Sequence, residues 1–258
     1  MLSFRHSGDL GKKIAMWIPS LGQQSRMWAE MPAVLEDWSN VFVELPGHGD
    51  NSPADRSFSI TDLADECREY LKNNARDAER VVVIGLSIGG TIALEIARSL
   101  SGDSAAVVMA AAATMGDAAI WQSRAELART SGTTVMKEAA QSRWFTDEFV
   151  ESNSGDVNKA LDSLGSVDGE SYALCAEALG GFDGTQTARH ISVPVLVIAA
   201  ERDEVVPLDR ARDLSELVPR GEIVEIPQAR HLFPIENPDE VGQLISTFID
   251  RVRGTSNP

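Results

Sequence analysis

Gly85-Leu86-Ser87-Ile88-Gly89 reads G-x-S-x-G, follows the apolar run Val81-Val82-Val83-Ile84, and precedes the helix-like stretch Thr91–Arg98. Strand, tight turn, helix is the context in which this pattern forms a nucleophile elbow. Such a turn forces strained backbone angles on Ser87, so Gly85 and Gly89 are expected to supply the minimal bulk that lets strand and helix approach. The helix start also aims amide groups at the place where an oxyanion would form, and the backbone N–H of Ile88, directly after the nucleophile, is the first candidate donor.

Later segments supply partners in the required order of serine, acid, histidine. The buried-strand pattern Val193–Ala200 runs into Glu201-Arg202-Asp203-Glu204, which offers three carboxylates as the acid. The strand-like Glu222–Pro227 leads through Gln228-Ala229-Arg230 to His231, just before a helix opened by Asn237-Pro238. His231 is the candidate base, while His48, in the turn Pro46-Gly47-His48-Gly49, reads as a structural histidine. No His, Cys, Asp or Glu spacing matches a metal site, so neither metal nor other cofactor is expected.

With 258 residues, 43% apolar, the chain can bury a full core. Strands are predicted near residues 2–7, 12–18, 40–45, 80–85, 105–112, 193–199 and 221–227, with helices between most of them. That alternation implies an α/β fold with a mainly parallel sheet and helices on both faces. From 114 to 189 the alternation stops and short helices are predicted, among them 118–131, 135–141, 146–152 and 170–179. Residues 1–113 and 190–258 thus form the expected core, and 114–189 a helical cap over the sheet's C-terminal edge. Trp121, Trp144, Phe145 and Phe149 are candidates to line an apolar pocket beneath this cap or to form its own small core. Arg26, Arg124 and Arg143 are candidates to grip a substrate carboxylate.

The formal net charge of −16 argues against nucleic acid or anionic lipid as a partner, because both would be repelled. No stretch has the length of a membrane span, and the first residues lack a basic start followed by an apolar run. Two cysteines, Cys67 and Cys175, make no redox spacing, so a cytoplasmic monomer or small homo-oligomer acting on a small molecule is expected.

Taken together, Ile18–Trp28, Pro46–Gly49, Gly85–Gly90, Arg143-Trp-Phe-Thr146, Asp203 with Pro207, and His231–Pro238 resemble the 3-oxoadipate enol-lactonases of the α/β-hydrolase superfamily, enzymes of aromatic degradation. The resemblance spans nearly the whole chain. It implies an α/β-hydrolase fold, Ser87, Asp203 and His231 as catalytic triad, Leu21 and Ile88 as oxyanion donors, and Arg26 and Arg143 as the preferred arginines. Pro46, Pro19 and the pair Phe233-Pro234 depart from the family pattern and fall near the expected pocket mouth, where Phe233 would touch substrate. The resemblance implies a small lactone or carboxylic ester of the 3-oxoadipate enol-lactone kind as substrate, cleaved through an acyl-enzyme, and the departures raise a related ester or lactone of different shape as the alternative. Carboxylesterases, perhydrolases and carbon–carbon bond hydrolases share the same catalytic set, and a ligand-binding protein on a retired hydrolase scaffold is the non-enzymatic alternative.

Overall fold

A computed structural model describes residues 1–6, 8–29 and 31–253. The strands are β1 (Ser3–Arg5), β2 (Lys13–Ile18), β3 (Ser39–Glu44), β4 (Arg80–Leu86), β5 (Ala105–Met109), β6 (Val195–Ala200) and β7 (Gly221–Ile226). The helices are α1 (Ile60–Asn74), α2 (Ile88–Ala97), α3 (Ala118–Ser131), α4 (Lys137–Trp144), α5 (Asp147–Ser152), α6 (Ser154–Gly165), α7 (Gly169–Gly180), α8 (Thr185–Arg189), α9 (Leu208–Leu217), α10 (Phe233–Glu236) and α11 (Pro238–Arg253).

The seven strands form one sheet in the order β1-β3-β2-β4-β5-β6-β7. Only β1 runs antiparallel, against β3. Strands covered on both faces are written as unbroken apolar runs. Thus every residue of β5 and β6 is buried, whereas the edge strand β7 carries Glu222 and Glu225 and is buried only at Ile226. The largely apolar helix α2 is buried along its whole length, and its one carboxylate, Glu95, accepts from Thr187 Oγ1 at 2.7 Å. On the outside, α1 starts in a capping box, with Ser59 Oγ accepting from Asp62 N–H at 3.1 Å and Asp62 accepting from Ser59 N–H at 2.7 Å. The amphipathic α11 buries Val241, Ile245, Phe248, Ile249 and Val252.

Because β2 to β7 are parallel, the loops after β2, β4, β6 and β7 open on one edge of the sheet. From β2 the chain moves outward to β3 and then crosses back to β4, so the strand order reverses between β2 and β4. Crevices at such reversals are where open α/β sheets take ligands.

Helices α3 to α8 fill the interval between β5 and β6. The longest pair, α3 and α7, lie close and antiparallel. A Cβ on Gly169 would meet Ala128 O at 2.6 Å, and one on Gly180 would meet Trp121 Cβ at 3.1 Å. Arg129 links the pair further, bonding both Glu170 and Glu177. The segment leaves and rejoins the sheet layer at one point, where Thr114 bridges Asp183 and Gly184 N–H donates to Ala113 O at 2.7 Å. Within the expected cap, α6 is a helix that the sequence pattern did not single out, and α8 packs on α2 and α9 of the sheet layer. Among the described residues no helix is long and apolar enough to cross a membrane.

Candidate active site

Ser87 follows β4 with φ 57° and ψ −115°, a conformation costly for a residue with a Cβ. Local packing enforces it. A Cβ on Gly85 would lie 1.9 Å from Gly89 O, and one on Gly89 would lie 2.2 Å from Ile18 O. Only glycine at both positions lets α2 fold back against β4 and β2 this tightly, as the sequence predicts. The Ser87 main chain is tied on both sides, its N–H donating to Met109 O at 2.8 Å and its carbonyl accepting from Thr91 N–H at 3.0 Å.

His231 and Asp203 come from the loops after β7 and β6. His231 Nδ1 lies 2.7 Å from Asp203 Oδ2, and both side chains are buried. The other carboxylate oxygen accepts from Val205 N–H at 2.7 Å and Val206 N–H at 3.0 Å. An ionised carboxylate can only accept, so in the neutral ring this contact selects the tautomer with hydrogen on Nδ1 and the lone pair on Nε2. The neighbouring acids are engaged elsewhere. Glu201 accepts from Gln228 N–H at 2.7 Å, and the exposed Glu204 faces Arg230.

Ser87 and His231 line one narrow cavity, of about 30 Å³, between the sheet edge and helices α3, α4, α6 and α7. Ser20 and Leu21 from the loop after β2 and Val205 from the acid loop line it from below, and Trp121, Arg124, Arg143, Trp144 and Tyr172 from the helices. The backbone N–H groups of Leu21 and Ile88 donate to no group among the described residues. Of the expected substrate contacts, Trp121, Arg143 and Trp144 therefore stand at the cavity. Arg26 and Phe233 do not. Arg26 is exposed and donates to Ser163 Oγ at 3.0 Å, because the turn Ser25–Trp28 directs it along the outside of α6. Phe233 is wholly buried in the core at the start of α10, and Phe145, also wholly buried, stacks on Phe149 at 5.5 Å.

Arg124 lies 4.7 Å from the Trp121 ring centre, a cation–π contact. Burial above all, together with the like charge of Arg143, pulls its pKa down, and burial pushes the Tyr172 phenol up. Neither Arg124 nor Arg143 has a carboxylate within ion-pair distance among the described residues. The chain's net charge is −16, so two guanidiniums lining one cavity without a carboxylate beside them set it apart from the acidic whole. Sequence reasoning weighed Arg124 but gave no reason to prefer it, and Tyr172 was not singled out.

His48 supports this edge structurally. Its Nδ1 pairs with Pro46 O at 2.9 Å and its Nε2 accepts from Gly22 N–H at 3.0 Å, which anchors the residue after Leu21. Burial lowers its pKa from 6.5 to about 4. The unfolded chain therefore takes up this proton first as the pH falls. Stability from neutral His48 is complete above about pH 6.5 and declines as the pH drops towards 4, by about 2 kcal/mol between pH 7 and 5. Denaturant unfolding at the two pH values checks this, and in His48→Gln the loss between them shrinks by about that amount. An unchanged pH dependence in the variant would assign the effect to other groups.

Residues 16–244 match the alpha/beta hydrolase family, and the chain belongs to it. Among its relatives, 3-oxoadipate enol-lactonase 2 of Acinetobacter baylyi is 28% identical over 252 residues, 97% of this chain and 93% of that protein. Pyrrolizixenacetamide deacetylase of Xenorhabdus hominickii is 26% identical, over 88% of this chain and 87% of that protein. The crystal structure of the enol-lactonase from Burkholderia xenovorans superposes with a TM-score of 0.89 at 26% identity, covering 96% of each chain. The chain is thus similar to enol-lactonases in sequence and in fold, and its activity is that of a hydrolase.

Proposed function

We propose that the protein is a serine hydrolase that opens a small carboxylate-bearing lactone of the 3-oxoadipate enol-lactone kind through an acyl-enzyme. One observation carries this reading: Ser87 and His231 share a single narrow cavity with two guanidiniums that have no carboxylate partner. In the first step Ser87 Oγ attacks the lactone carbonyl and its proton passes to His231 Nε2. Asp203, accepting from Nδ1–H, stabilises the imidazolium. The oxyanion is received by the free N–H groups of Ile88 and Leu21. The ring C–O bond then breaks, and His231 returns the proton to the departing enol oxygen. Water, deprotonated by His231, attacks the acyl-enzyme; the bond to Ser87 Oγ breaks as His231 returns that proton to it, the acid is released, and the enol reverts to its ketone in solution.

Arg124 and Arg143 hold the substrate's carboxylate in this scheme. A desolvated charge-assisted pair contributes about 1.5–3 kcal/mol, enough to overcome the repulsion of the acidic surface. Arg124→Met and Arg143→Met are each expected to cut kcat/KM for the anionic lactone by roughly 10- to 100-fold and to leave a neutral lactone nearly unaffected. Equal losses on both substrates would make the arginines structural. A hydrolysis screen of carboxylate-bearing lactones, neutral lactones and p-nitrophenyl esters tests the substrate class itself. Preference of the wild type for neutral substrates would replace the lactonase reading with that of a general esterase. The free, buried Cys67 and Cys175 support a reducing, cytoplasmic setting for the reaction.

A further inference from the structure

We propose that the Glu236 carboxylate is a positioning residue that holds the cap's cavity wall in register with His231, an inference that rests on the hydrolase reading above. Glu236 closes α10, five residues after the histidine, and touches neither Ser87 nor the cavity. One of its oxygens accepts from Thr146 N–H at 2.6 Å and from Thr146 Oγ1 at 3.0 Å. The other accepts from Arg230 N–H at 3.1 Å. A single carboxylate thus spans the helical segment and the residue next to the histidine, groups 84 positions apart in sequence.

Two further bonds join the same pair of segments. Leu232 N–H donates to Trp144 O at 3.0 Å, and the Arg230 guanidinium donates to Ser142 O. Both carbonyls belong to the last turn of α4, which has no partners of its own for them. Thr146 in turn caps α5, accepting from Phe149 N–H at 3.2 Å. The loop carrying His231 therefore serves as the C-terminal cap of α4 and, through Glu236, fixes the start of α5. Between these two tied ends lie Arg143 and Trp144, both at the cavity. His231 is also held independently by Asp203. Loss of Glu236 consequently shifts the cap side of the pair and spares the histidine.

The test compares wild type, Glu236→Ala and Arg230→Met below their melting temperatures on two substrates. One is a carboxylate-bearing enol-lactone, and the other is p-nitrophenyl acetate, which offers Arg143 no carboxylate to hold. Glu236→Ala is expected to lose about tenfold in kcat/KM on the lactone, mainly through KM, and to stay within about twofold on the acetate. Arg230→Met, which removes a different tie between the same segments, follows with a smaller loss of the same selectivity. Amide exchange at Thr146 and Leu232 accelerates in Glu236→Ala. Should that variant not fold, Glu236→Gln, which keeps one accepting oxygen, gives an intermediate selective loss. Equal losses on both substrates, unchanged kinetics in a folded variant, or unchanged exchange at Thr146 would each overturn the proposal. Fluorophosphonate labelling of wild-type Ser87 separates the two readings: a wild type that neither labels nor turns over either substrate defeats the hydrolase itself, and this proposal with it.

Discussion

Ser87→Ala is expected to lower turnover by on the order of 10⁴ to 10⁶, with the fold retained. In the proposed mechanism the loss is large because the hydroxyl alone forms the covalent bond, and no neighbouring side chain can replace it. The fold survives because the Ser87 backbone, not its hydroxyl, carries the structural bonds: N–H to Met109 O and carbonyl from Thr91 N–H. Alanine keeps those bonds and inherits the same strain at φ 57°. Glycine would not, since this region of backbone space costs it little. Ser87→Gly should therefore be as inactive as Ser87→Ala but more stable than it, by about 1 kcal/mol. Single-turnover kinetics and thermal melts of the three proteins check both halves. Retention of more than a tenth of wild-type activity in either variant would remove Ser87 from the mechanism. Equal stability of the alanine and glycine variants would mean that the elbow stores no strain.

The elbow was legible in the sequence because its cause is local. A serine forced to positive φ needs glycines two residues to either side, and those needs are written within five consecutive positions. The core strands were legible for a similar reason, since two-sided burial leaves a continuous apolar run such as Val195–Ala200. The helix α6 was less so. Its start, Ser154-Gly155, reads as a loop, and its buried face, with Val157, Ala160, Leu161 and Leu164, gains meaning only from packing against α4. Side-chain destinations were least legible of all. Arg26 and Arg143 look alike in sequence, yet one lies along Ser163 and the other at the cavity, because the turn at 25–28 and the end of α4 aim them differently. Glu236 gives no local signal, as its partner Thr146 is 90 residues away. Phe233, placed beside the histidine by sequence, is carried into the core by the short helix that follows.

His231→Ala is expected to be nearly as damaging as Ser87→Ala, and the double variant little worse than either, because in the proposed mechanism the two act as one proton-transferring unit. Without the imidazole no nearby group can accept the Ser87 proton. The acid should be separable from its neighbours by a graded series. Asp203→Asn keeps the shape of the loop and the room for an oxygen accepting from Val205 and Val206 N–H, but turns an NH₂ group or a neutral oxygen towards His231 Nδ1. Nδ1 then either loses its proton, which places hydrogen on Nε2 where the base is needed, or loses the charge that stabilises the imidazolium. Either way the expected drop in kcat is on the order of 10³ to 10⁴. Glu201→Gln and Glu204→Gln should stay near wild type, since their carboxylates face Gln228 and Arg230 rather than the ring. Steady-state kinetics on one activated ester suffice for the comparison. A sensitive Glu201 with a tolerant Asp203 would mean that another carboxylate orients the histidine during turnover. Multiplicative losses in Ser87→Ala/His231→Ala would mean that the two side chains act in separate steps.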